Sequence, residues 1–499
     1  MVATRIRHKP SLEKITSPEK AAAMIKDGMT LGMSGFTKAG DAKAVPHAMA
    51  ERAKTDPFKI TLITGASLGY NIDRVLAEAG VLARRLPFQS DDGLRHAING
   101  GEVMFIDQHL SETVELLRSR QMPPVDIAVV EAIAITENGG IVPTTSVGNS
   151  ASLAILAKRV IVEINLCHNT DLEGMHDIYI PTKRPTREAI PIVSCDGRVG
   201  VPYIPMDPDK IAAIVVTDKQ DSTARSSLPE PETTAIADHL IRFLLAEVDK
   251  GRLDMTLNPL QAGIGVIANS VLGGLVNAPF HDLKMYSEVL QDSTFELLDA
   301  GKLIFASGSS ITLSAGWYEK VLANIDKYKD RLILRPQEIS NHPEVIRRLG
   351  VIAINTALEF DIYGNVNSTH VNGTDMMNGI GGSGDFARNA YMAIFVAKSV
   401  AKGGAISAVV PMVTHVDHTE HDVDILVTEN GLADLRGLAP RERAAEIIDN
   451  CAHPDYREEL RDYFDRAVTT RGGQTPHILE EAFQWHLRRL STGTMRKDS

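Results

Sequence analysis

Cysteine is scarce in this sequence: Cys167, Cys195 and Cys451 are the only three, and no two form a Cys-x-x-Cys pair. A sparse, odd count excludes a disulfide framework and fits reduced thiols. No stretch approaches the ~20 consecutive apolar residues of a membrane-spanning helix. Met1-Val-Ala-Thr-Arg-Ile-Arg-His-Lys9 holds no apolar core of signal-peptide length. A soluble cytoplasmic protein with no membrane partner is therefore expected. Basic residues are also in deficit, 52 against 64 acidic ones for a net charge of −12. That balance argues against nucleic acid as the main partner, although a local basic patch could still hold a phosphate.

What is present is ordinary globular material, 43% apolar and 23% charged over 499 residues. That length exceeds a single core and points to two domains. Ser17 reads as a helix N-cap with Pro18 in the first turn and Gly28 closing the helix. Met29–Met33 reads as a strand and Val45–Lys54 as the helix after it. Apolar runs at Ile60–Ile63, Ile127–Val130, Val160–Ile164 and Ile211–Val216 alternate with helical patterns, which predicts parallel or mixed sheets covered by helices. The second half repeats the theme. Lys302–Gly308 is matched with the strand entering Ser34-Gly35, Val351–Ile354 with Ile127–Val130, Ile406–Val410 with Val160–Ile164, and Asp424–Glu429 with Ala213–Asp218. Four matches in one order predict a duplicated α/β domain. Ser226-Ser-Leu-Pro-Glu-Pro-Glu-Thr233 is the linker candidate, with a helix starting at Thr233 or Thr234. The boundaries are set at 1–225 and 226–499, with Glu288 in the second domain. Leu490–Ser499 reads as a frayed polar end.

The richest segment is Asn378-Gly-Ile-Gly-Gly-Ser-Gly-Asp-Phe386. So many glycines allow close backbone approach, with N–H groups turned toward a ligand oxygen. Gly379–Gly384 satisfies G-x-G-x-x-G, but no strand is read in the preceding Gly373–Asn378, as a dinucleotide fingerprint requires. Fixed N–H donors for an oxyanion are the better use. Two companions stand out: Gln261-Ala-Gly-Ile-Gly-Val266, and Met285-Tyr-Ser-Glu-Val-Leu-Gln291, which sets a carboxylate among apolar neighbours. His415-Val-Asp-His-Thr-Glu-His421 has metal-rich composition but no zincin spacing, and no metal is assigned to it. Gly32-Met-Ser-Gly35 lacks the spacing of a nucleophile elbow.

Together these segments resemble the class I coenzyme A transferases, in the branch called acetyl-CoA hydrolase/transferase. Ser34-Gly-Phe-Thr37, Leu62–Ser67, Thr145–Asn149, Arg347–Gly350, Asp361–Asn365 and His415–His418 extend the resemblance over most of the chain. It implies two related (NagB/RpiA-like) α/β domains with the active site between them. It also implies CoA transfer between acyl-CoA and a short carboxylate through a glutamyl-CoA thioester. Homodimers are implied as well, with no permanently bound cofactor and CoA as substrate and product.

By that resemblance Glu288 is the nucleophile. Its neighbours Met285, Tyr286 and Val289 would strip its hydration, whereas on pattern alone it would face solvent. Gly382 and Ile264 would offer N–H groups to one oxyanion and Asn341 an amide to the other. Gly382 taken locally is a turn glycine, and Asn341 an N-cap ahead of Pro343. The resemblance also implies CoA contacts from Leu260, Gln261, Ala262, Gly263, Ile264, Leu358, Asn378, Gly382 and Lys402. Ser67 is placed near the acyl group, although a serine after a strand more often caps a helix, and Lys402 on its own reads as a solvated loop residue. Two other readings stay open: an acyl-CoA hydrolase on the same scaffold, and a non-catalytic CoA-binding protein. Succinate, acetate and propionate all fit as acids.

Overall fold

The apolar runs become the centres of two sheets. A computed structural model describes residues 2–225 and 230–497. The first sheet holds β1 (Thr30–Met33), β2 (Ile60–Ile63), β3 (Leu82–Leu86), β4 (Met104–Phe105), β5 (Ile127–Ala132), β6 (Arg159–Asn165) and β7 (Ile211–Thr217) in the order β4-β3-β2-β1-β5-β6-β7. All of its pairings are parallel. Strands of this kind are covered on both faces, which is why β5 is buried at every residue.

The second sheet holds β8 (Leu260–Ala262), β9 (Leu283–Tyr286), β10 (Leu303–Gly308), β11 (Leu332–Leu334), β12 (Ile352–Thr356), β13 (Met392–Val396), β14 (Ile425–Thr428) and β15 (Gly431–Asp434). Its order, β11-β10-β9-β8-β12-β13-β14-β15, repeats the first, with β15 added antiparallel at the edge. The fold is α/β, and the duplication is real at the level of strand order.

Two of the four expected strand matches change. Leu303–Gly308 takes the place of β3, not β1, whose counterpart is β8. The counterpart of β6 is Met392–Val396, not Ile406–Val410. The latter run is two short strands outside the sheet, interrupted where the Ser407 hydroxyl turns back to the Val409 carbonyl at 2.7 Å. Short apolar runs look alike in sequence, and only pairing separates them.

Two compact units emerge: Met1–Ser226 with Met285–Leu298 and Ile304–Leu349, and Ser227–Lys284 with Asp299–Leu303 and Gly350–Ser499. A single cut after residue 225 does not reproduce them, because the Glu288 segment belongs with the first unit. Of the linker candidate, residues 226–229 lie outside the described residues. The helix after it starts earlier than expected, at Pro231, with the Glu230 N–H donating to Thr233 Oγ1 at 3.0 Å. Ser17 does cap its helix, accepting from the Lys20 N–H, but that helix ends at Ala22, before Gly28. The chain end is less loose than read: a helix runs Gln484–Thr492 and Met495 is fully buried. Residues 498–499 lie outside the described residues.

In the first unit, Val45–Ala53 starts against a remote carboxylate. Glu163 of β6 is buried and accepts the N–H groups of Lys43 at 2.6 Å, Ala44 at 3.0 Å and Val45 at 2.7 Å. Those donors would otherwise be unsatisfied at a helix start. Among the described residues no helix is long and apolar enough to cross a membrane.

Candidate active site

Glu288 sits where β9 ends, at a short interruption in strand pairing. Before it, the Ser287 N–H donates to the Ser307 carbonyl at 2.9 Å. After it, Val289–Leu290 pairs in parallel with Ser310–Ile311. Between the two, the Glu288 carbonyl accepts the N–H groups of Ser309 at 2.6 Å and Ser310 at 3.1 Å. The backbone is thus held on both sides, and the side chain leaves the ladder half-buried. Glu288 is therefore not the exposed side of an element.

Among the described residues its carboxylate accepts one hydrogen bond, from the Asn341 side-chain amide, Nδ2 to Oε2 at 3.1 Å. Burial pushes the carboxyl up to about 7, and the Asn341 bond offsets only part of that rise. No cation enters the balance. Val289 meanwhile packs with Phe36, Ala66 and Leu110 in a small apolar cluster.

Asn341 ends the helix Gln337–Ser340, with its N–H donating to the Gln337 carbonyl at 2.9 Å. It does not cap the following helix, Pro343–Leu349. His342 does so, its Nδ1 accepting the Glu344 N–H at 3.2 Å. The Ser340 hydroxyl donates to Asn341 Oδ1 at 2.9 Å, which leaves Nδ2 for Glu288. The Tyr286 hydroxyl donates to the Ile339 carbonyl at 2.6 Å, joining the Glu288 strand to the Asn341 helix. Gln337 is held by the Gly148 carbonyl at 2.9 Å on its N–H and by the Leu110 carbonyl at 3.0 Å on its side chain. Arg335, fully buried, pairs with Asp177 and donates to Ser307 Oγ at 2.8 Å and the Gly197 carbonyl at 2.6 Å. These supports were not singled out from sequence. The phrase Arg335–Asn341 and the tyrosine two residues before Glu288 were the available signals.

Ser67 follows β2 and is buried, but it caps no helix. Its Oγ accepts from the Ser90 hydroxyl at 3.0 Å. Its neighbour Ala66 belongs to the same apolar cluster as Val289, so the Ser67 turn and the Glu288 turn share one packing group.

The other sequence-derived residues lie in the second unit. Leu260, Gln261 and Ala262 form the buried strand β8, with Gln261 donating to Asn355 Oδ1 at 3.2 Å. Gly263 continues the pairing through its N–H to the Ile354 carbonyl at 2.8 Å, and Ile264 then turns outward at 39% exposure. Leu358 is likewise exposed, at 41%. Gly382 is buried and precedes the helix Ser383–Asn389, whose Phe386 N–H returns to the Gly382 carbonyl at 3.0 Å. Gly381, just before it, has φ +61°, a left-handed conformation that favours glycine. The residues ahead of this loop include a short strand, Asp375–Met376, where none was read. It pairs antiparallel with His370–Val371, which is not the parallel strand of a dinucleotide fold. Asn378 Oδ1 is buried without a hydrogen-bond partner among the described residues. Lys402 is exposed on the turn between Val400–Ala401 and Ile406–Ser407.

The histidine-rich stretch is spread over several contacts. His415 stacks on His370 at 3.9 Å between ring centres, Asp417 accepts from Thr369, and His418 Nε2 meets Ser383 Oγ at 3.1 Å.

Residues 1–216 match the acetyl-CoA hydrolase/transferase N-terminal domain and residues 318–464 the acetyl-CoA hydrolase/transferase C-terminal domain. The chain is 50% identical over 494 residues to a succinyl-CoA:acetate CoA-transferase of Clostridium kluyveri, covering 99% of this chain and 92% of that one. It is 46% identical over 482 residues to a propanoyl-CoA:succinate CoA transferase of Escherichia coli, covering 95% and 97%. It is also 46% identical over 517 residues to an acetyl-CoA hydrolase of Schizosaccharomyces pombe, covering 100% and 99%. Among solved structures, RipA from Yersinia pestis aligns with a TM-score of 0.70 at 23% identity, covering 91% of this chain and 97% of that one. A 4-hydroxybutyrate CoA-transferase from Porphyromonas gingivalis aligns at 0.63 with 21% identity, covering 92% and 99%. At such identities the structures speak for the fold alone.

Proposed function

Since the chain belongs to the acetyl-CoA hydrolase/transferase family, we propose that it transfers CoA between an acyl-CoA and a small carboxylate through a thioester on Glu288. The observation that carries this reading is the Glu288–Asn341 pair: a half-buried carboxyl with its ionisation near neutrality and one amide donor at 3.1 Å. Near neutral pH a large share of such a carboxyl is ionised, yet poorly hydrated, which suits a nucleophile.

In the first step a Glu288 carboxylate oxygen attacks the thioester carbonyl carbon. The C–S bond breaks, CoA leaves as thiolate and a mixed anhydride remains. The thiolate then attacks the Glu288 carboxyl carbon, expelling the first acid as its carboxylate and leaving glutamyl-CoA. A second carboxylate runs both steps in reverse. Each attack places negative charge on a former carbonyl oxygen. Asn341 Nδ2, within hydrogen-bond reach of Oε2, serves the oxyanion formed on the glutamyl group. The amides of Gly382 and Ile264 serve the one formed on the substrate. Leu260, Gln261, Ala262, Gly263, Leu358 and Asn378 contact the coenzyme, Lys402 supplies a point charge for a phosphate, and Ser67 lines the acyl end.

Relatives named for succinyl-CoA with acetate and for propanoyl-CoA with succinate support succinate, acetate and propionate as the acids. A pocket separates acids differing by one methylene by only ~1–3 kcal/mol, so breadth is expected. Relatives named acetyl-CoA hydrolase favour a second reading, in which water takes the place of the acceptor acid. CoA enters as substrate and leaves as product, with no permanently bound cofactor. A cytoplasmic homodimer completes the proposal.

Mass spectrometry of the enzyme mixed with acyl-CoA alone tests it: CoA should be found bonded to Glu288. CoA on another residue, or on none in an active sample, would refute the route. Turnover that requires added acetate, propionate or succinate identifies the transferase; turnover indifferent to them identifies the hydrolase.

A further inference from the structure

A second buried constellation lies in the first unit, at the carboxyl ends of β5, β6 and β7. Glu131 stands near the end of β5, His168 three residues beyond β6 and Asp221 four beyond β7. They are 1%, 2% and 6% exposed. His168 Nε2 is 3.3 Å from Glu131 Oε1 and 3.8 Å from Asp221 Oδ2, and the three ligand atoms lie within 4.8 Å of one another. Neither ring nitrogen of His168 makes a hydrogen bond among the described residues. An imidazole so enclosed, with no hydrogen bond, is costly unless something else satisfies it.

The carboxylates are already oriented from outside. Lys43 Nζ donates to Glu131 Oε2 at 2.5 Å and to Asp221 Oδ1 at 2.9 Å. Asn165 donates to Glu131 Oε2 at 2.9 Å and the Gly40 N–H to Asp221 Oδ1 at 3.1 Å. On the other oxygens, the Thr144 hydroxyl donates to Glu131 Oε1 at 2.8 Å and the Thr145 hydroxyl to Asp221 Oδ2. Those two oxygens keep a lone pair each and lie nearest His168 Nε2. Charge points the same way. Asp41, whose Oδ1 is buried without a partner, joins Glu131 and Asp221 around the one ammonium of Lys43. Glu131 and Asp221 alone already exceed the single positive charge of Lys43, an imbalance that a further cation offsets.

We propose that Glu131 Oε1, His168 Nε2 and Asp221 Oδ2 bind a divalent first-row transition cation of the Zn²⁺ or Mn²⁺ kind. One imidazole with two carboxylates is a donor set for such ions, not for Mg²⁺ or Ca²⁺, which prefer all-oxygen shells. Ligands around a tetrahedral Zn²⁺ at ~2.0–2.1 Å stand ~3.4 Å apart, and the 3.3 Å and 3.8 Å spacings from His168 Nε2 lie close to that. A cavity of about 280 Å³ lies against the His168 side of the cluster, lined also by Cys167, Asn169, Gln220 and Tyr318. The role is structural: the cation ties together the ends of three adjacent strands, and its binding free energy becomes folding free energy.

The test uses the full chain, stripped with chelator and then titrated with Mn²⁺, free ion being followed by electron paramagnetic resonance. Saturable uptake of a single equivalent is expected, weakened ~10–100-fold or more in His168→Gln. Crystals soaked in Mn²⁺ should give an anomalous peak between Glu131, His168 and Asp221, a readout that needs no variant to fold. No saturable uptake, equal affinity in a folded His168→Gln, or no anomalous peak at that point would each overturn the proposal.

Discussion

Two buried carboxylate sites in the same unit behave in opposite ways. Glu288 has an amide for company, and burial drives its carboxyl up to about 7. Asp221 is buried as well, yet it is held below the usual aspartate value, with the Lys43 ammonium as the main force against desolvation. Burial alone therefore does not decide whether an acid keeps its proton; the nearest full charge does. One site is left short of compensation. The other is cross-bonded and holds strand ends in place.

Removing the carboxylate itself gives the largest effect on this contrast. Glu288→Ala should lower transfer by ~10⁴-fold or more while the circular dichroism spectrum is kept, since the covalent route then has no nucleophile. A variant near the wild-type rate would move the chemistry elsewhere. The matching change at the paired site is Lys43→Met. It strands Glu131 and Asp221 in the interior and should cost ~3–5 kcal/mol in urea unfolding. A cost below ~1 kcal/mol would mean the two sites do not differ as described.

Next comes the donor. Asn341→Ala should lower kcat/KM by ~10²–10³-fold. In the wild type, kcat/KM should fall below about pH 7 as Glu288 takes up its proton. In Asn341→Ala that midpoint should move upward, because the lost bond favoured the ionised form; an unchanged midpoint would disconnect the two residues. The smallest effect is on stability. The folded-state value of Glu288 is raised, so the folded protein holds this proton more tightly than the unfolded chain. Stability then declines as pH rises from the unfolded value through about 7. Glu288→Gln escapes that decline and should be more stable than wild type by ~1–3 kcal/mol at pH 8, discounted for partial exposure, with no gain near pH 4. Equal stability at both pH values would show that Glu288 is not destabilised by burial.

The sequence disclosed the parts that are local. β2 was read at its full length, β1, β5, β6 and β7 to within a residue or two, and Ser17 as a cap, because apolar runs and capping chemistry are written in neighbouring residues. Glu288 came from the resemblance; its apolar neighbours only hinted at burial. Asn341 was assigned locally to the wrong helix end, because His342 caps the next helix through a ring nitrogen, which composition does not announce. Lys43, Glu131, His168 and Asp221 went unread because they are 88 and 178 residues apart along the pairs that matter. Nothing short of the strand order β1-β5-β6-β7 brings them together. The Met392–Val396 strand was passed over for the run at Ile406–Val410, an error that pairing alone could reveal.

One small bond carries a further consequence. Since the Tyr286 phenol grips the Ile339 carbonyl, the Glu288 carboxylate and the Asn341 amide ride on a common chassis. Thermal motion of that part of the chain displaces both in step, so the gap between them changes less than either position does. A phenylalanine there would keep the ring but uncouple the two, and the loss would show as slackened alignment in the chemical step more than as poorer substrate capture.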